Sequence, residues 1–398
     1  MSYASSESHT VEAILDERVF ISDGLVFVSG LTAADPGTGI PEQASVSKEF
    51  PYYGADIQKQ TTYLLEKLTR LLETQGCGLE DVVKTQVFIT DCRLFDAFDQ
   101  VWKRFFPVPP PRTTVGVGAE AMAIPGALVS VDVIAARPDV LNIRHLDSPR
   151  LPKPLANYTP CVAAGDWLFL AGQLPTEFGA TGLAPAAQVN PSFPQHFSPF
   201  LAQAKYTIGV CRTLLEDSGS DWDHVVRVHV FLKNMADAPL FEALWEDMFD
   251  GAAPPHLVLG VEELLTGGAQ IEIDVIAVRT GTAMAQAASN VTAPAGQSIS
   301  TRGLGFTRFS VAQVEVGESD HRLFAVSGAV RAALECAAAQ AGDNAEPLKV
   351  HAFLPQPTDV YAFGRVVLDT AAAGAAITTS PSVDASNLGL EIVYRVGA

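Results

Sequence analysis

The residue types that hold metals or act as nucleophiles are scattered along this chain of 398 residues. The five cysteines, Cys77, Cys92, Cys161, Cys211 and Cys336, are odd in number and have no CxxC spacing. That pattern argues against a disulfide framework and a zinc site, and it favours small buried thiols. The sequence also contains no P-loop, no GxGxxG motif and no triad of metal ligands. We therefore expect chemistry that needs no metal ion.

Three isolated charged residues stand within apolar strand patterns. Arg112 follows a proline-rich run at 107–111 and opens a strand, Glu272 alternates with its two isoleucine neighbours, and Glu391 lies in the last apolar segment. A guanidinium is planar, keeps its charge and can form two parallel hydrogen bonds with a carboxylate, although an arginine at the start of a strand is often only a solvated edge residue. Alternation places Glu272 on the opposite face from the isoleucines, which leaves an exposed position and a cleft position equally open.

The elements that would position these residues occur three times. Leu25-Val-Phe-Val-Ser-Gly30 returns as Trp167-Leu-Phe-Leu-Ala-Gly172 and as Leu323-Phe-Ala-Val-Ser-Gly328. Each copy is followed by a second strand-like segment and by a closing one, in the same order. The period is far longer than the roughly 20 to 50 residues of a solenoid unit, so each copy is expected to be a whole small domain.

Each repeat is predicted to be an α+β unit in which two helices cover one face of a mixed sheet. In repeat 1, apolar residues spaced by three, four and seven predict a helix over 57–72, and a second helix over 94–106 ends before the prolines. In repeat 3 only 21 residues separate the glycine at 328 from the basic residue at 349. This repeat is therefore expected to have lost a loop and most of one helix.

The expected domains are 1–138, 150–280 and a degenerate third at 300–398. The connections between them, at 138–154 and 281–300, are rich in Pro, Ala and Gly and lack periodicity.

Charge and hydropathy exclude several classes of partner. The net charge is −19, from 26 basic and 45 acidic residues, and such a surface repels the phosphate backbone of a nucleic acid. No apolar run approaches the ~18 residues that would span a membrane. The first nine residues contain no basic region followed by an apolar stretch, which predicts a cytoplasmic protein.

The repeated strands, together with Asp81-Val-Val-Lys-Thr-Gln-Val-Phe88 and Pro110-Pro-Arg-Thr-Thr-Val115, make the chain resemble the RidA/YjgF/UK114 family of reactive enamine and imine deaminases. The resemblance covers nearly all of repeats 1 and 2 and, weakly, repeat 3. It implies chorismate-mutase-like domains packed as an intramolecular pseudo-trimer, with ligand clefts between neighbouring repeats. It also implies activity without a cofactor. The chain would then be a monomer in solution, with further self-association left open.

The resemblance also assigns site residues. The arginine of the family's Pro-x-Arg-x-x-Val motif binds the substrate carboxylate, and it corresponds to Arg112 in repeat 1 and to His256 in repeat 2. A histidine there keeps a donor that can be neutral near pH 7, and it could bind an anion weakly, shuttle a proton or be a structural replacement. Thr114 takes the place of the cleft residue two positions beyond the arginine.

The family's catalytic glutamate, which holds the attacking water, maps to Glu272 in repeat 2, to Glu391 in repeat 3 and to Ser130 in repeat 1. No single repeat keeps both the arginine and the glutamate. A cleft assembled from two repeats could bring the arginine together with a serine or a tyrosine of its neighbour.

Further substrate-binding positions follow from the same resemblance. They are the tyrosine before the first strand, Tyr158, and the serines at the ends of first strands, Ser29 and Ser327.

Two groups of polar residues are expected to be structural. Gln86, His229 and His351 occupy equivalent strand positions, which predicts side chains facing either the pseudo-threefold interior or solvent. Asp99 and Glu242 lie on predicted helices and are expected to be surface charge.

The leading hypothesis is a cofactor-independent enamine or imine deaminase, or a specialised descendant, that acts on a small carboxylate-bearing substrate. Loss of the arginine and glutamate pairing within one repeat also fits a chorismatase-like or other pathway-specific enzyme on the same scaffold. A third possibility, from a different class, is a non-catalytic scaffold that binds small molecules.

Overall fold

A computed structural model describes residues 18–35, 37–155, 157–178, 182–250, 253–286, 293, 295–316, 322–382 and 387–397. These residues form three six-stranded mixed sheets with helices. The predicted α+β class, with three family-like domains packed as a pseudo-trimer, is confirmed. The nine N-terminal residues behind the cytoplasmic prediction lie outside the described residues.

Repeat 1 contains both predicted helices. Its elements are β1 (Val19–Ser22), β2 (Leu25–Thr32), α1 (Asp56–Glu73), β3 (Val82–Ile89), α2 (Phe95–Phe105), β4 (Arg112–Gly116) and β5 (Val129–Ala136). The apolar stripe of α1 is buried, as its spacing predicts, and Phe98 and Trp102 of α2 are buried beside it. The central strands β3 and β5 are buried along their whole length, because both faces of the sheet are covered.

Repeat 2 has the same plan. Its elements are β6 (Ile143–Leu146), β7 (Cys161–Ala164), β8 (Trp167–Leu170), α3 (Pro199–Asp217), β9 (Val225–Leu232), α4 (Ala238–Phe249), β10 (His256–Gly260), β11 (Glu263–Leu264) and β12 (Ile271–Val278). The expected connection at 138–154 contains β6, which pairs with β7 at the sheet edge.

Repeat 3 is more complete than its sequence predicts. Its elements are β13 (Ala285–Gln286), β14 (Gln297–Leu304), β15 (Thr307–Glu315), α5 (Arg322–Ala341), β16 (Glu346–Leu354), α6 (Asp359–Leu368), β17 (Ala376–Pro381) and β18 (Asn387–Arg395). The prediction that 323–328 forms a strand is wrong, because these residues begin the 20-residue helix α5. The loss of most of one helix is therefore also wrong.

The strand equivalent to β2 is β15, which the repeat motif does not match. Phe309 pairs with Val393 as Phe27 pairs with Ile134, which defines the true correspondence between repeats 1 and 3. The Ala-rich helix α5 contains a strand-like apolar run, and this run resembles the motif more closely than the real strand does. Only the loop before the helix is short, since six residues separate β15 from α5.

All three sheets share one strand order. In repeat 1 the order is β4-β3-β5-β2-β1, with β3 and β4 parallel and the other neighbours antiparallel. The corresponding orders are β10-β9-β12-β8-β7 and β17-β16-β18-β15-β14. Repeat 2 also adds its short strand β11 to the sheet of repeat 1, where Glu263 pairs with Gly116. The first two repeats are therefore joined by a shared sheet.

Helices cover one face of each sheet, and the opposite faces of the three sheets pack on one another around a pseudo-threefold axis. At one end of the axis the rings of Phe27 and Phe309 lie 5.9 Å apart. At the other end Phe88 and Phe353 lie 6.2 Å apart, in a cluster that also contains Phe231. Each sheet alone would expose this apolar face, so the packing removes three large patches from water.

A buried ring of charges lies between the two aromatic clusters. Its ion pairs run in one direction around the axis: Lys84 with Asp274, Arg227 with Glu391, and Lys349 with Asp132. Each basic side chain thus binds an acid of the next repeat. We call these six residues the charged ring.

The sequence left the interior and solvent open for the polar residues beside the charged ring, and the structure places them in the interior. Gln86, His229 and His351 are all buried, and Gln86 Nε2 lies 2.7 Å from His229 Nδ1. Burial lowers the pKa of both histidines, and the nearby basic side chains lower it further, so both rings are neutral at pH 7.

Candidate functional site

A cleft of about 300 Å³ lies between repeats 1 and 2. Arg112 and Thr114, at the start of β4, line one side of it. Tyr158, Gly172 and Glu272 of repeat 2 line the other side. We call it the 1/2 cleft. The arginine and the glutamate that the sequence places in different repeats are therefore brought together across an interface.

The Arg112 guanidinium is held from one side. Its Nη1 lies 2.9 Å from Asp99 Oδ1, and its Cζ lies 5.1 Å, 5.6 Å and 5.2 Å from the ring centroids of Phe95, Phe98 and Trp102. Burial lowers the pKa of Arg112 and the Asp99 carboxylate opposes that shift, so the side chain stays charged near neutral pH. The acid and the rings fix the guanidinium plane and leave Nη2 for another partner.

Asp99 is not the surface charge that its helix position suggests. It is buried, and it binds Lys103 at 2.7 Å as well as Arg112. A sequence signal was present, because Asp99 falls on the apolar stripe formed by Phe95, Phe98 and Trp102 at helical spacing. An acid in such a stripe needs a buried cation, which Arg112 supplies.

Glu272 is also buried, and the exposed reading of its strand position is excluded. Burial raises the pKa of Glu272 to about 8, and the neighbouring Asp274 carboxylate adds to the shift. Gly172 permits this placement. A Cβ there would lie only 2.1 Å from Glu272 Oε1, so any other residue would displace the carboxyl group.

Three polar atoms in the 1/2 cleft are buried without a partner among the described residues: Arg112 Nη2, Thr114 Oγ1 and Glu272 Oε2. Leaving such atoms unpaired costs about 1–3 kcal/mol each, and most buried polar atoms in native proteins are paired. Three such atoms in one cavity can be paired by water or by a polar ligand that enters it. Tyr158 borders the same space, and burial raises its pKa, with the Glu272 charge adding to the effect.

The arginine position differs between repeats. Arg112 pairs with Thr85 of β3, and His256 pairs with Val228 of β9 at the equivalent register. The corresponding residue in repeat 3 is Ile377. The sequence prediction that His256 replaces the arginine is thus consistent with the strand register, and repeat 3 has an aliphatic side chain at this position.

The glutamate position also differs. Ser130, Glu272 and Gly389 each pair with the equivalent phenylalanine of the neighbouring strand, so they occupy one structural position in the three repeats. Glu391 lies two residues further along its strand.

The mapping of Glu391 onto the catalytic glutamate is therefore wrong. Glu391 pairs with His351 as Asp274 pairs with His229, which makes it a member of the charged ring. Its carboxylate lies 2.7 Å from Arg227 Nε and 3.1 Å from His229 Nε2. The error has a simple cause, since a shift of two residues along a strand keeps the same face and the same apolar alternation.

The other predicted site residues lie away from the 1/2 cleft. His256 Nε2 lies 3.0 Å from Glu242 Oε2 in a partly exposed pair. Ser29 is buried, and its hydroxyl accepts a hydrogen bond from Arg18 N at 3.1 Å. Ser327 lies on α5, so its predicted place at a strand end is wrong.

Within the described part of the chain, no group of three or more His, Cys, Asp or Glu side chains could hold a metal ion. Among the same residues, no helix combines the length and the apolar character needed to cross a bilayer.

Three sheets around a pseudo-threefold axis, with a cleft between the first two repeats, give one chain a trimer-like architecture. A profile of the family described as Endoribonuclease L-PSP matches residues 13–137 and 149–279. The chain belongs to this family, that of the RidA/YjgF/UK114 proteins.

Among its relatives is the mitochondrial protein Mmf2 of Schizosaccharomyces pombe, 34% identical over 116 residues, which are 29% of this chain and 82% of Mmf2. The crystal structure of yeast Mmf1 is 21% identical with a TM-score of 0.29, and the match covers 35% of this chain and 100% of Mmf1. RidA from the Antarctic bacterium Psychrobacter sp. PAMC 21119 is 19% identical with a TM-score of 0.28, over 34% of this chain and 98% of RidA. A cytoplasmic location stays a prediction.

Proposed function

We propose that the 1/2 cleft hydrolyses 2-imino acids and their enamine tautomers to 2-oxo acids and ammonia. The observation that carries this proposal is the meeting of Arg112 Nη2, Thr114 Oγ1 and Glu272 Oε2, all buried and unpartnered among the described residues, in one cleft. A cation, a hydroxyl and a carboxyl group are what a small molecule with a carboxylate and a C=N bond requires.

Arg112 binds the substrate carboxylate. Asp99 binds Nη1, so Nη2 is available for the substrate carboxylate, and the surrounding rings exclude water from the guanidinium. An ion pair in such a desolvated site is stronger than in water, and it fixes the position of the C=N carbon relative to the rest of the cleft.

Glu272 acts as the acid and then as the base. With a pKa of about 8, its carboxyl group is mostly protonated at pH 7 and donates its proton to the imine nitrogen. Water attacks the C=N carbon, a C–O bond forms, and the Glu272 carboxylate accepts a proton from this water. Glu272 passes this proton to the nitrogen, and the C–N bond breaks as the Glu272 carboxylate accepts the proton of the new hydroxyl group. The products are ammonia and the 2-oxo acid, and Glu272 is protonated again.

RNA cleavage, the activity in the family's descriptive name, fits this chain poorly. The net charge is −19, and Arg112 is the only basic residue among the described residues that line the 1/2 cleft. A phosphate backbone needs several such contacts.

The test supplies imines made in situ by an amino-acid oxidase and measures release of the 2-oxo acid. Arg112→Ala leaves the substrate charge unpaired and is expected to lower kcat/KM by about 30- to 1000-fold, equivalent to about 2–4 kcal/mol. Arg112→Lys should recover only part of this, since a point charge lacks the bidentate fork. His256→Ala is the matched control and should matter much less.

Arg112→Ala also removes the partner of Asp99, so thermal unfolding of each variant must accompany the kinetics. Turnover that survives Arg112→Ala in a folded protein would show that the cleft is wrongly assigned. Absence of wild-type turnover across varied imines would contradict the deaminase proposal. Retained binding of 2-oxo acids would then favour a non-catalytic scaffold.

A further inference from the structure

A second cavity of about 180 Å³ adjoins the 1/2 cleft. The two cavities share Tyr158, Leu174, Thr176 and Phe178 as common lining residues. We call it the side cavity. Its remaining walls come from the 147–154 connection, from Pro160 and Gln173, and from α3. Most of these side chains are apolar, whereas Asp147 and Lys153 are exposed.

Comparison with repeat 1 explains why this space is open. Gln60 of α1 and Gln203 of α3 make the same contacts, each donating from Nε2 to the carbonyl of a glycine, Gly126 or Gly268, before the closing strand. The two helices are therefore equivalent residue by residue from these glutamines onward.

Seven residues beyond each glutamine stand Lys67 and Val210. Lys67 Nζ donates to the carbonyls of Thr32 and Ala34, at 3.4 Å and 2.8 Å. In repeat 1 this space is thus filled by a lysine side chain that binds the backbone.

The strand register extends the comparison to the facing loop. Gln173 pairs with Ile273 as Leu31 pairs with Val131, so Leu174 corresponds to Thr32, and Thr176 to Ala34. Both Leu174 and Thr176 line the side cavity. The cavity therefore opens where repeat 1 has the Lys67 side chain and repeat 2 has the much shorter Val210.

We infer that the side cavity is a subsite for the side chain of the substrate, and that it selects 2-imino acids with a bulky apolar side chain. This inference rests on the proposed function, because the 1/2 cleft must hold the carboxylate end. Val210 and Leu214 give the cavity an apolar inner wall, and Pro149 and Pro152 continue that surface along the connection. A branched aliphatic or aromatic group gains by leaving water there, whereas a charged one loses its hydration.

The experiment measures the dissociation constants of pyruvate and phenylpyruvate, two 2-oxo acid products that differ only by the phenyl group. In the wild-type protein phenylpyruvate should bind about ten- to a hundredfold more tightly. Val210→Lys restores the residue found in repeat 1, and it should bring the ratio of the two constants close to one. Gly209→Lys is the matched control. It adds the same charge one residue away, where a Cβ meets open space, and it should keep the wild-type ratio.

A wild-type ratio near one, or a ratio that Val210→Lys leaves unchanged, overturns the inference. Should Val210→Lys fail to fold, the wild-type protein still decides. Affinity must rise steadily along straight-chain 2-oxo acids from three to six carbons, and a flat series overturns the subsite. Failure of the proposed function looks different, because then no imine is hydrolysed, whether or not the two 2-oxo acids bind. If turnover needs Arg112 but affinity is flat along the series, the subsite inference is wrong and the proposed function stands.

Discussion

The 1/2 cleft and the corresponding interface between repeats 3 and 1 have the same architecture but differ in cavity volume and in polar residues. The 1/2 cleft has about 300 Å³ and contains a guanidinium and a carboxyl group. The other cavity has about 40 Å³ and is lined by Ser130 at the glutamate position. Ile377, at the arginine position, belongs to the hydrophobic core of repeat 3. In a homotrimer one substitution changes every cleft, whereas fusion of the repeats lets each interface differ.

The interface between repeats 2 and 3 departs from the 1/2 cleft in another way. His256 replaces the arginine, and Gly389 stands where the glutamate would be. The space beside Gly389 is occupied, since a Cβ there would lie 2.9 Å from Leu259 Cδ2. Side-chain packing has closed this position.

The charged ring differs less between repeats than the clefts do. Every repeat keeps a basic residue on its second long strand and an acid on its closing strand. Removing Lys349, for example, would leave the buried Asp132 carboxylate without its cation, at a cost of about 3–5 kcal/mol. Assembly thus constrains the axis in all three repeats, whereas among the described residues the arginine and the glutamate meet in the 1/2 cleft alone.

The largest expected effect comes from Glu272→Gln. This change keeps the shape but removes the proton donor, so kcat/KM should fall by about 100- to 10,000-fold in the imine assay. Because the acid form starts the reaction, wild-type kcat/KM should also fall as pH rises through about 8, the raised pKa of Glu272. The residual activity of Glu272→Gln should lack this fall.

Ser130→Ala is the matched control, at the same structural position in a cleft without the arginine. It should leave the pH profile and the rate close to those of the wild type. A profile that rises through pH 8 would mean that Glu272 works as the carboxylate from the start, which reverses the proposed order of proton transfers.

The raised pKa of Glu272, which supports catalysis, should lower the stability of the protein as pH rises. The folded-state pKa of Glu272 is raised above its ordinary value of 4.5, so the folded protein holds this proton more tightly than the unfolded chain does. Its contribution to the free energy of unfolding therefore falls between about pH 4.5 and pH 8. Glu272→Gln should remove that part of the decline. The free energy of unfolding of the variant, measured relative to that of the wild type, should therefore rise with pH.

A smaller effect is expected at Asp99, which touches Arg112 and not the substrate. Asp99→Asn keeps the side-chain shape but removes the charge that orients Nη1. We expect KM to rise about tenfold, roughly 1.4 kcal/mol, with little change in kcat, because the loss falls on substrate binding. Glu242→Gln removes the corresponding acid beside His256 and should leave both constants near wild type. A fall in kcat alone would assign Asp99 a different role.

The sequence predicted the sheets and the paired helices of repeat 1, because those depend on periodicity and local propensity. The prediction for Glu391 was wrong because two strand registers satisfy the same apolar alternation. The prediction for Ser327 was wrong because an Ala-rich helix contains a strand-like apolar run. The sequence also could not pair Arg112 with Glu272 across an interface, because the 160 residues that separate them carry no distance information.

The smallest expected effect concerns an attempt to rebuild a site in the second interface. His256→Arg restores the cation at the register position of Arg112, yet the facing position is Gly389 and Leu259 fills the space beside it. A cation without a proton donor and without room for a ligand cannot hydrolyse an imine, so total kcat/KM should change by less than about twofold. Stoichiometry checks this independently, since titration with phenylpyruvate should give one site per chain in both proteins. A second site in His256→Arg would show that the arginine alone makes a cleft functional, and that the difference between the interfaces is less than their packing suggests.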